Sequence, residues 1–294
     1  MTTSGAEHAR ETLACLTIDD PLLRPKYGCL EYERLLDEMR LHNFFTEIAF
    51  IPWNYRRSSL KTVRLLADNA DHYAICVHGC NHTGNEFGGG NYEQLAALSA
   101  TSLWRMEEHK RLTGLPYDPV IVFPQGRFSS VAMRVLKQQG YLAAFNSTLR
   151  ATDGEEPLAV EQRTPFTNMY YGFPLFLRRY PRDKSQFVQD LAAGRPIIIV
   201  QHPEAFRNGY KAMTDLVDWI NGLGRIKWTS LSSIAEYYLG VQAGANPRAH
   251  KIAPRPAGPY LSAQAASRRY LSELRDNYVL TNGLLAKAYK MVRG

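Results

Sequence analysis

The chain has 294 residues, of which 45% are hydrophobic, and a formal net charge of +7. This length is enough for one large α/β domain or two small ones, and the scattered lysines and arginines form no block of the kind that binds nucleic acid. The N-terminus lacks the apolar core of a secretory signal and no apolar run reaches the length of a membrane span, so we expect a cytoplasmic protein with no transmembrane segment.

The first predicted strand, Ala14–Ile18, ends at two adjacent acids, Asp19 and Asp20, which are followed by Pro21. Adjacent carboxylates repel each other unless a cation or a proton held on one of them offsets the repulsion. The pair therefore indicates a metal ligand beside a general base. A solvated turn before the proline is the alternative interpretation.

A helix is predicted at Glu31–Leu41 and a second strand at Glu47–Ile51. The loop after this strand is aromatic and basic and contains Trp53. It is a candidate wall for a substrate, although core packing explains an aromatic residue there equally well. Ser58 is predicted to cap the next helix, which extends to Asn69.

The third predicted strand begins at Tyr73 and carries His78 and His82 onto a glycine-containing turn. Two neutral imidazoles are good ligands for zinc or another borderline divalent ion, and a third ligand with an oxygen donor would leave coordination positions open for water and substrate. Two loop histidines that bind nothing are one alternative. A zinc–thiolate site that uses the flanking Cys76 and Cys80 is another, although the four cysteines of the chain form no paired CxxC and no disulfide framework.

The remaining sequence alternates helical and strand patterns, with only weak signals from Ser147 to Tyr171. Helices are predicted at Asn91–Leu112, Ser129–Gln139, Asp183–Ala193, Met213–Asn221 and Ser230–Tyr238. Strands are predicted at Val120–Phe123, Tyr141–Asn146, Leu175–Arg179, Ile197–His202 and Ile226–Thr229. Strands that alternate with helices predict a mainly parallel sheet covered by helices, and about seven such units favour its closure into a barrel.

The pattern divides the chain into three parts. Residues 1–240 are predicted to form the barrel. Residues 241–260, rich in Ala, Gly and Pro, are predicted to be a linker, and residues 261–294 a helical tail with charges of both signs. We expect the tail to pack on the barrel or on a partner, where it could support an oligomer, and peripheral contact with a membrane surface is the less favoured alternative.

Four segments at predicted strand ends resemble, in the same order, the motifs of the polysaccharide deacetylase family of metal-dependent carbohydrate esterases. They are Thr17–Asp20, His78–His82, Phe123–Gly126 and Val200–His202. The resemblance covers residues 12–240. It implies a distorted (β/α) barrel and the hydrolysis of an N-acyl group, with acetyl expected, from an amino sugar.

Carried over by position, the resemblance implies that Asp20, His78 and His82 hold a divalent metal ion. Zinc is the expected ion, and other first-row metals are alternatives. Asp19 would be the general base, and His202 would be the acid that protonates the departing amine. A strand-end histidine without a chemical role is the alternative for His202.

The resemblance also implies an oxyanion site in the Pro124–Gly126 turn, where the backbone N–H of Gln125 would meet the tetrahedral oxyanion together with the metal. Substrate contacts are expected from this turn and the neighbouring loops. The residues expected at the oxyanion and substrate positions are Pro124, Gln125, Gly126, Arg127 and Trp53.

The sequence departs from the family pattern at several positions. Pro21 replaces a glycine, Gln125 replaces an aromatic residue, and Val122 stands where relatives commonly carry an arginine that orients the base. The sequence leaves three candidates open for that arginine: Arg127, Arg163 and Arg178.

Three functional hypotheses follow. The leading one is a cytoplasmic metal-dependent deacetylase that acts on a small or lipid-linked amino-sugar precursor. The second is a hydrolase of a non-sugar C–N bond, such as a formyl group, a ureide or another amide. The third is a non-catalytic carbohydrate-binding or scaffolding member of the fold, which Val122 supports and the five ionisable groups at strand ends oppose.

Overall fold

The computed structural model describes residues 11–155 and 168–240. Its strands are β1 (Thr12–Asp19), β2 (Lys26–Tyr27), β3 (Leu30–Glu31), β4 (Thr46–Phe50), β5 (Tyr73–His78), β6 (Asp118–Val122), β7 (Ala144–Asn146), β8 (Asn168–Tyr170), β9 (Phe173–Leu177), β10 (Ile197–Gln201) and β11 (Ile226–Trp228). Its α-helices are α1 (Tyr32–His42), α2 (Leu60–Ala67), α3 (Tyr92–Thr113), α4 (Ser130–Gln138), α5 (Lys184–Ala192), α6 (Lys211–Asn221) and α7 (Leu231–Leu239). None of these helices is both long and apolar enough to cross a lipid bilayer. The predicted linker, the predicted helical tail and Arg163 lie outside the described residues.

Seven parallel strands form the main sheet, in the order β10, β1, β4, β5, β6, β7, β9. Strand β8 pairs antiparallel with β9, and β11 pairs with the start of β1. Beyond β9, the Arg179 N–H donates to Ile198 O (2.7 Å) and the Val200 N–H donates to Arg179 O (2.9 Å). These two hydrogen bonds join the ends of the sheet through β10. The predicted distorted (β/α) barrel of about seven strands is therefore confirmed.

Most predicted elements are found within about two residues of their predicted ends. The helix assigned to a Ser58 cap begins after Ser59 instead, because the Ser58 hydroxyl lies 2.9 Å from His109 Nε2. Strand β7 is shorter than predicted because the Tyr141 N–H still donates to Leu136 O of the preceding helix. Strand β8 was not predicted, since three residues at a sheet edge are too few for an alternating pattern.

A β-bulge separates the pairing of β5 and β6 into two registers. Cys76 pairs with Asp118, but the next residue of β5, Val77, pairs with Ile121. The extra residues on β6 begin with Pro119, which has no N–H to donate to a neighbouring strand. The bulge immediately precedes His78, and bulges at barrel rims change the direction in which a side chain points.

The barrel interior has its own apolar core, which α7 closes at the end opposite the candidate site. Side chains from alternate strand positions and from α7 form one buried cluster, which includes Leu13, Phe45, Ala49, Cys76, Val122, Phe145, Phe176, Ile198, Leu231 and Ile234. The first turn of α7 donates to two acids at the amino ends of strands: the Leu231 N–H to Glu47 (2.8 Å) and the Ser232 N–H to Asp118 (3.0 Å). The N–H groups in the first turn of a helix lack partners within the helix, and the oxygens of these two acidic side chains accept from them.

Glu47 and Asp118 lie close enough to affect each other's ionisation. Burial raises the pKa of Glu47 well above its ordinary value, and the Asp118 carboxylate raises it further. The folded chain therefore keeps a proton on Glu47 at pH values where the unfolded chain has lost it. Because folding raises the pKa of Glu47, the stability that the protonated Glu47 contributes is complete at pH values below its pKa in the unfolded chain. This stability decreases as the pH rises towards its pKa in the folded chain.

We expect the variant Glu47→Gln to become more stable relative to the wild type as the pH rises above the ordinary glutamate value. The substituted side chain would keep an acceptor for the Leu231 N–H, and its neutral amide has no proton to lose. The gain should be up to about 1.4 kcal/mol per pH unit until the folded pKa is reached. Urea unfolding of both proteins between about pH 5 and pH 8 measures it. The exposed Glu33→Gln is the control and should show no such slope, and parallel stability curves for Glu47→Gln and wild type would contradict the prediction.

Candidate active site

The residues singled out at strand ends lie together at one rim of the barrel. Asp19 is paired with Ala49 of β4, which is paired with Cys76 of β5, so the carboxyl ends of these strands lie at one level. The rim is therefore formed by the loops that follow the strands, as in other α/β barrels. Asp20 and His82 enter this rim from these loops.

Asp20, His78 and His82 direct ligand atoms to one point. Their three ligand atoms all lie within 4.8 Å of one another. In residues 11–155 and 168–240, no other set of three or more His, Cys, Asp or Glu side chains is arranged in this way. Asp20 Oδ1 is 3.2 Å from His78 Nε2 and 3.0 Å from His82 Nε2. Ligands about 2.0–2.1 Å from a tetrahedral metal ion are separated by about 3.3 Å, so these separations fit a single bound ion.

The hydrogen bonding of the three residues also fits a metal ion. The carbonyl of Val122 lies 3.0 Å from His78 Nδ1 and can only accept, so Nδ1 carries a proton and Nε2 is the ring atom left to face Asp20 and an ion. Asp20 Oδ1 is buried but accepts no hydrogen bond of good geometry. Although burial alone would raise the pKa of Asp20, the two imidazoles hold it well below its ordinary value, so the carboxylate is ready to bind a cation. A borderline ion such as zinc suits one carboxylate and two imidazoles.

The cysteines do not join this group in the described part of the chain. Cys76 lies in the barrel interior, where burial raises the pKa of its thiol well above the ordinary value. The Cys80 sulfur instead accepts a hydrogen bond from Arg105 at 3.3 Å. The geometry therefore favours the histidine–carboxylate set over a zinc–thiolate site.

Asp19 is held by Arg178, one of the three arginines that the sequence left open. Two hydrogen bonds join them, from Arg178 Nη1 to Asp19 Oδ1 (2.7 Å) and from Nη2 to Oδ2 (2.9 Å). Both side chains are almost fully buried. Burial alone would raise the pKa of Asp19, but the Arg178 charge outweighs it and lowers the pKa. Arg127 is exposed on the neighbouring turn.

His202 lies at the same rim, directly after β10. Its Nε2 atom is 4.0 Å from Asp20 Oδ2, and its side chain is 39% exposed. The imidazole therefore borders the candidate metal site but also reaches solvent. A group in this position can transfer a proton to or from a ligand at the rim.

The Pro124–Gly126 turn packs against the histidine loop. Gln125 has a positive φ of 56°, its side-chain oxygen accepts from the Asn85 N–H (3.2 Å), and Gly126 O accepts from the Asn146 side chain (2.9 Å). Asp20 and His82 also have positive φ, so three of the six non-glycine residues with this conformation in the described ranges are candidate site residues. Such conformations are unfavourable for residues with side chains and cluster at functional sites.

Trp53 lies beside the histidine loop and is partly exposed. Its backbone N–H donates to Cys80 O (3.0 Å), and the Arg105 guanidinium lies 5.3 Å from the centre of its ring. The residue therefore supports the histidine loop through its backbone hydrogen bond and through the contact of its ring with Arg105.

Two residues that organise this rim were not found from the sequence. Glu86 accepts hydrogen bonds from the loop that carries His82, and Arg105 of α3 donates to Cys80 and Asn81 in that loop. Neither residue belongs to a recognisable spacing with the histidines. The sequence offers one signal, the glycine-rich segment Thr83–Gly90 around Glu86, and such a segment is by itself typical of a flexible loop.

Comparison with known proteins identifies the fold. No family model matches the sequence, and no curated protein matches it.

A crystal structure from Mycobacterium smegmatis, of a protein assigned by name to the polysaccharide deacetylases, is similar with a TM-score of 0.56 and 15% identity, over 78% of this chain and 91% of that one. A family 4 carbohydrate esterase from Bacillus anthracis has a TM-score of 0.48 and 15% identity, over 78% of this chain and 84% of that one. A family 4 pseudoenzyme from Bacillus anthracis has a TM-score of 0.46 and 10% identity, over 78% of this chain and 66% of that one. The similarity to the first structure establishes that this chain has the polysaccharide deacetylase fold.

Proposed function

We propose that this protein is a metal-dependent hydrolase that removes an N-acyl group, with acetyl expected, from an amino sugar. The convergence of Asp20, His78 and His82 at the barrel rim carries the proposal, because one carboxylate and two imidazoles leave coordination positions for water and substrate. The fold and the order of the sequence motifs support a sugar amide as the substrate class.

Asp20, His78 and His82 would hold the ion. A divalent ion at this position would polarise the amide carbonyl and make water a better nucleophile near neutral pH. The hydrogen bond from His78 Nδ1 to the Val122 carbonyl orients the ring with Nε2 towards Asp20 Oδ1, where it would be available to hold the ion.

Asp19 would act as the general base. Its carboxylate is ionised, because Arg178 lowers its pKa, and two hydrogen bonds fix its plane. In this role Asp19 accepts a proton from the attacking water while Arg178 keeps the carboxylate from rotating away. Fixed orientation of a base is one source of its catalytic effect.

His202 would act as the general acid. The departing group of an amide is an amine, which leaves readily only after its nitrogen has been protonated. The His202 imidazole borders the same site and is partly solvent-exposed, so it can deliver a proton to the amine and recover one from water. The backbone N–H of Gln125 is the proposed donor to the oxyanion that forms on the carbonyl oxygen.

The substrate contacts, the location of the protein and its assembly are also proposed or predicted. Trp53 and Arg127 at the rim are the proposed sugar contacts, and the substrate is proposed to be small or lipid-linked. A cytoplasmic location and an oligomer formed through residues 261–294 stay predictions from the sequence.

Elemental analysis tests the metal site. We expect one equivalent of a divalent metal in the purified wild-type protein and almost none in His78→Ala, because removal of one of three ligands weakens binding strongly. The matched control is His72→Ala, which changes a histidine at the amino end of β5 and should keep the metal. A wild-type protein that binds no divalent metal would contradict the proposed function.

A substrate panel tests the reaction. We expect metal-dependent acetate release from N-acetylated amino sugars, lost on chelation and restored by added zinc or cobalt. Parallel assays use N-formylated sugars, ureides and non-sugar amides. Hydrolysis of only the non-sugar compounds would replace the sugar with another C–N substrate, and a metal-loaded protein that hydrolyses none of them would favour a binding role.

A further inference from the structure

Glu86 binds the backbone of the loop that carries the second candidate histidine. Its Oε1 atom accepts from the N–H groups of Cys80 (2.7 Å) and His82 (3.1 Å), and its Oε2 atom accepts from those of Asn81 (3.0 Å) and Thr83 (3.4 Å). One carboxylate therefore receives hydrogen bonds from four consecutive residues. Successive N–H groups that point inward in this way form a concave anion site, and here the anion is a side chain of the same loop.

The carbonyl groups of the same loop are held from the other side by α3. The Ser102 hydroxyl donates to Gly79 O, and Arg105 Nη1 donates to Cys80 O (3.2 Å) and to the Asn81 side chain (2.7 Å). Ser102 and Arg105 are both buried. The loop between the two histidines is thus fixed at its donors by Glu86 and at its acceptors by α3.

The backbone of the loop needs this support. His82 has a φ of 55°, a conformation that residues with a side chain rarely adopt. Gly79 has a φ of 65°, and a Cβ atom there would overlap the Glu86 carboxylate and the Pro124 ring. The glycine therefore allows Glu86 to approach the chain closely enough to bind all four N–H groups.

We propose that Glu86 is a positioning residue for the metal site. By fixing the backbone from Cys80 to Thr83, it holds His82 in its left-handed conformation and sets the separation of the His78 and His82 nitrogens around Asp20. Glu86 does not itself reach the metal position in this role. The inference rests on the proposed function, because it concerns how the three ligands are held for an ion.

Metal affinity measured by competition with a chromogenic chelator is the first test. We expect Glu86→Gln to raise the dissociation constants for zinc and cobalt by about 10- to 100-fold, as is typical when a residue that orients a ligand is lost. The amide keeps one oxygen acceptor, but its NH₂ group would face N–H donors. The control Asp153→Asn changes another carboxylate that binds backbone near this rim, through the Ser130 N–H, and should bind metal as the wild type does.

The visible spectrum of the cobalt-loaded protein is the second test, since its ligand-field bands report the geometry of the ligands rather than the stability of the fold. We expect altered bands in Glu86→Gln and unaltered bands in Asp153→Asn. The variant Glu86→Asp separates geometry from charge, because it keeps the negative charge but is one methylene too short to bind both pairs of N–H groups. We expect Glu86→Asp to resemble Glu86→Gln.

The outcomes separate this inference from the proposed function. A wild-type chain that binds no cobalt contradicts both. A wild type that binds cobalt, with Glu86→Gln within about threefold of it and spectrally identical, contradicts this inference alone. Wild-type behaviour of Glu86→Asp beside weak binding by Glu86→Gln would mean that charge accounts for the effect, and would also overturn the positioning role.

Discussion

Arg178→Met is expected to lower the free energy of unfolding by about 3–5 kcal/mol and to remove most of the hydrolytic activity. The Arg178 and Asp19 side chains are only 2% and 5% exposed, so the variant would leave Asp19 as a buried carboxylate without its counter-charge. Breaking one partner of a buried pair costs far more than the pair itself contributes, because the remaining charge stays desolvated. Urea unfolding at neutral pH measures the loss.

A double variant separates the two consequences of this change. In Asp19→Asn with Arg178→Met, neither buried charge remains, so we expect most of the lost stability to return while activity stays absent, because the base is gone. The control Arg182→Met changes an exposed arginine nearby and should alter stability by no more than about 0.5 kcal/mol. Arg178→Met as stable as the wild type would show that Asp19 is not held as a buried ion pair.

The strands that end in the site could be predicted because local sequence determines them. The apolar run from Tyr73 ends at His78 in the structure as predicted, and β1 ends at Asp19. Once the strands are parallel, their carboxyl ends lie at one rim, so the placement of Asp20 and His78 at the same rim follows from the topology. No atomic detail is needed for that step.

The identity of the arginine beside Asp19 could not be predicted in the same way. Arg178 and Asp19 are 159 residues apart, and they meet because the barrel closes between β9 and β10. The sequence indicates that closure is favoured, but it does not give the register that brings Arg178 to Asp19 rather than Arg179. Arg179 instead pairs with Asp190 of α5 (2.8 Å).

The role of Glu86 was hidden for a different reason. Its partners are backbone N–H groups, whose directions depend on the positive φ values at Gly79 and His82. A sequence shows a glutamate in a glycine-rich stretch, and such a residue is usually solvated. Only the folded loop shows that its N–H groups converge on one carboxylate.

His202→Asn is expected to reduce the turnover of an N-acetyl amide by about 10²- to 10⁴-fold, the usual contribution of a general acid or base, while the protein keeps its metal. The residue is partly exposed and lies 4.0 Å from Asp20 Oδ2, so its removal should disturb neither the fold nor the three proposed ligands. Unfolding curves and metal content should therefore match those of the wild type. His72→Asn, at the amino end of β5, is the matched control and should keep full activity.

The leaving group distinguishes an acid from a residue that merely shapes the site. An amine needs a proton before it can leave, whereas the nitrophenolate of para-nitrophenyl acetate leaves without one. If His202 supplies that proton, His202→Asn should be severely impaired on the amide and nearly unimpaired on the aryl ester, with the same metal-loaded protein in both assays. Equal losses on the two substrates would assign His202 to substrate binding or site structure, because those roles affect both acyl compounds alike. The ratio of the two losses therefore tests the proton transfer itself, independently of how much of each preparation is active.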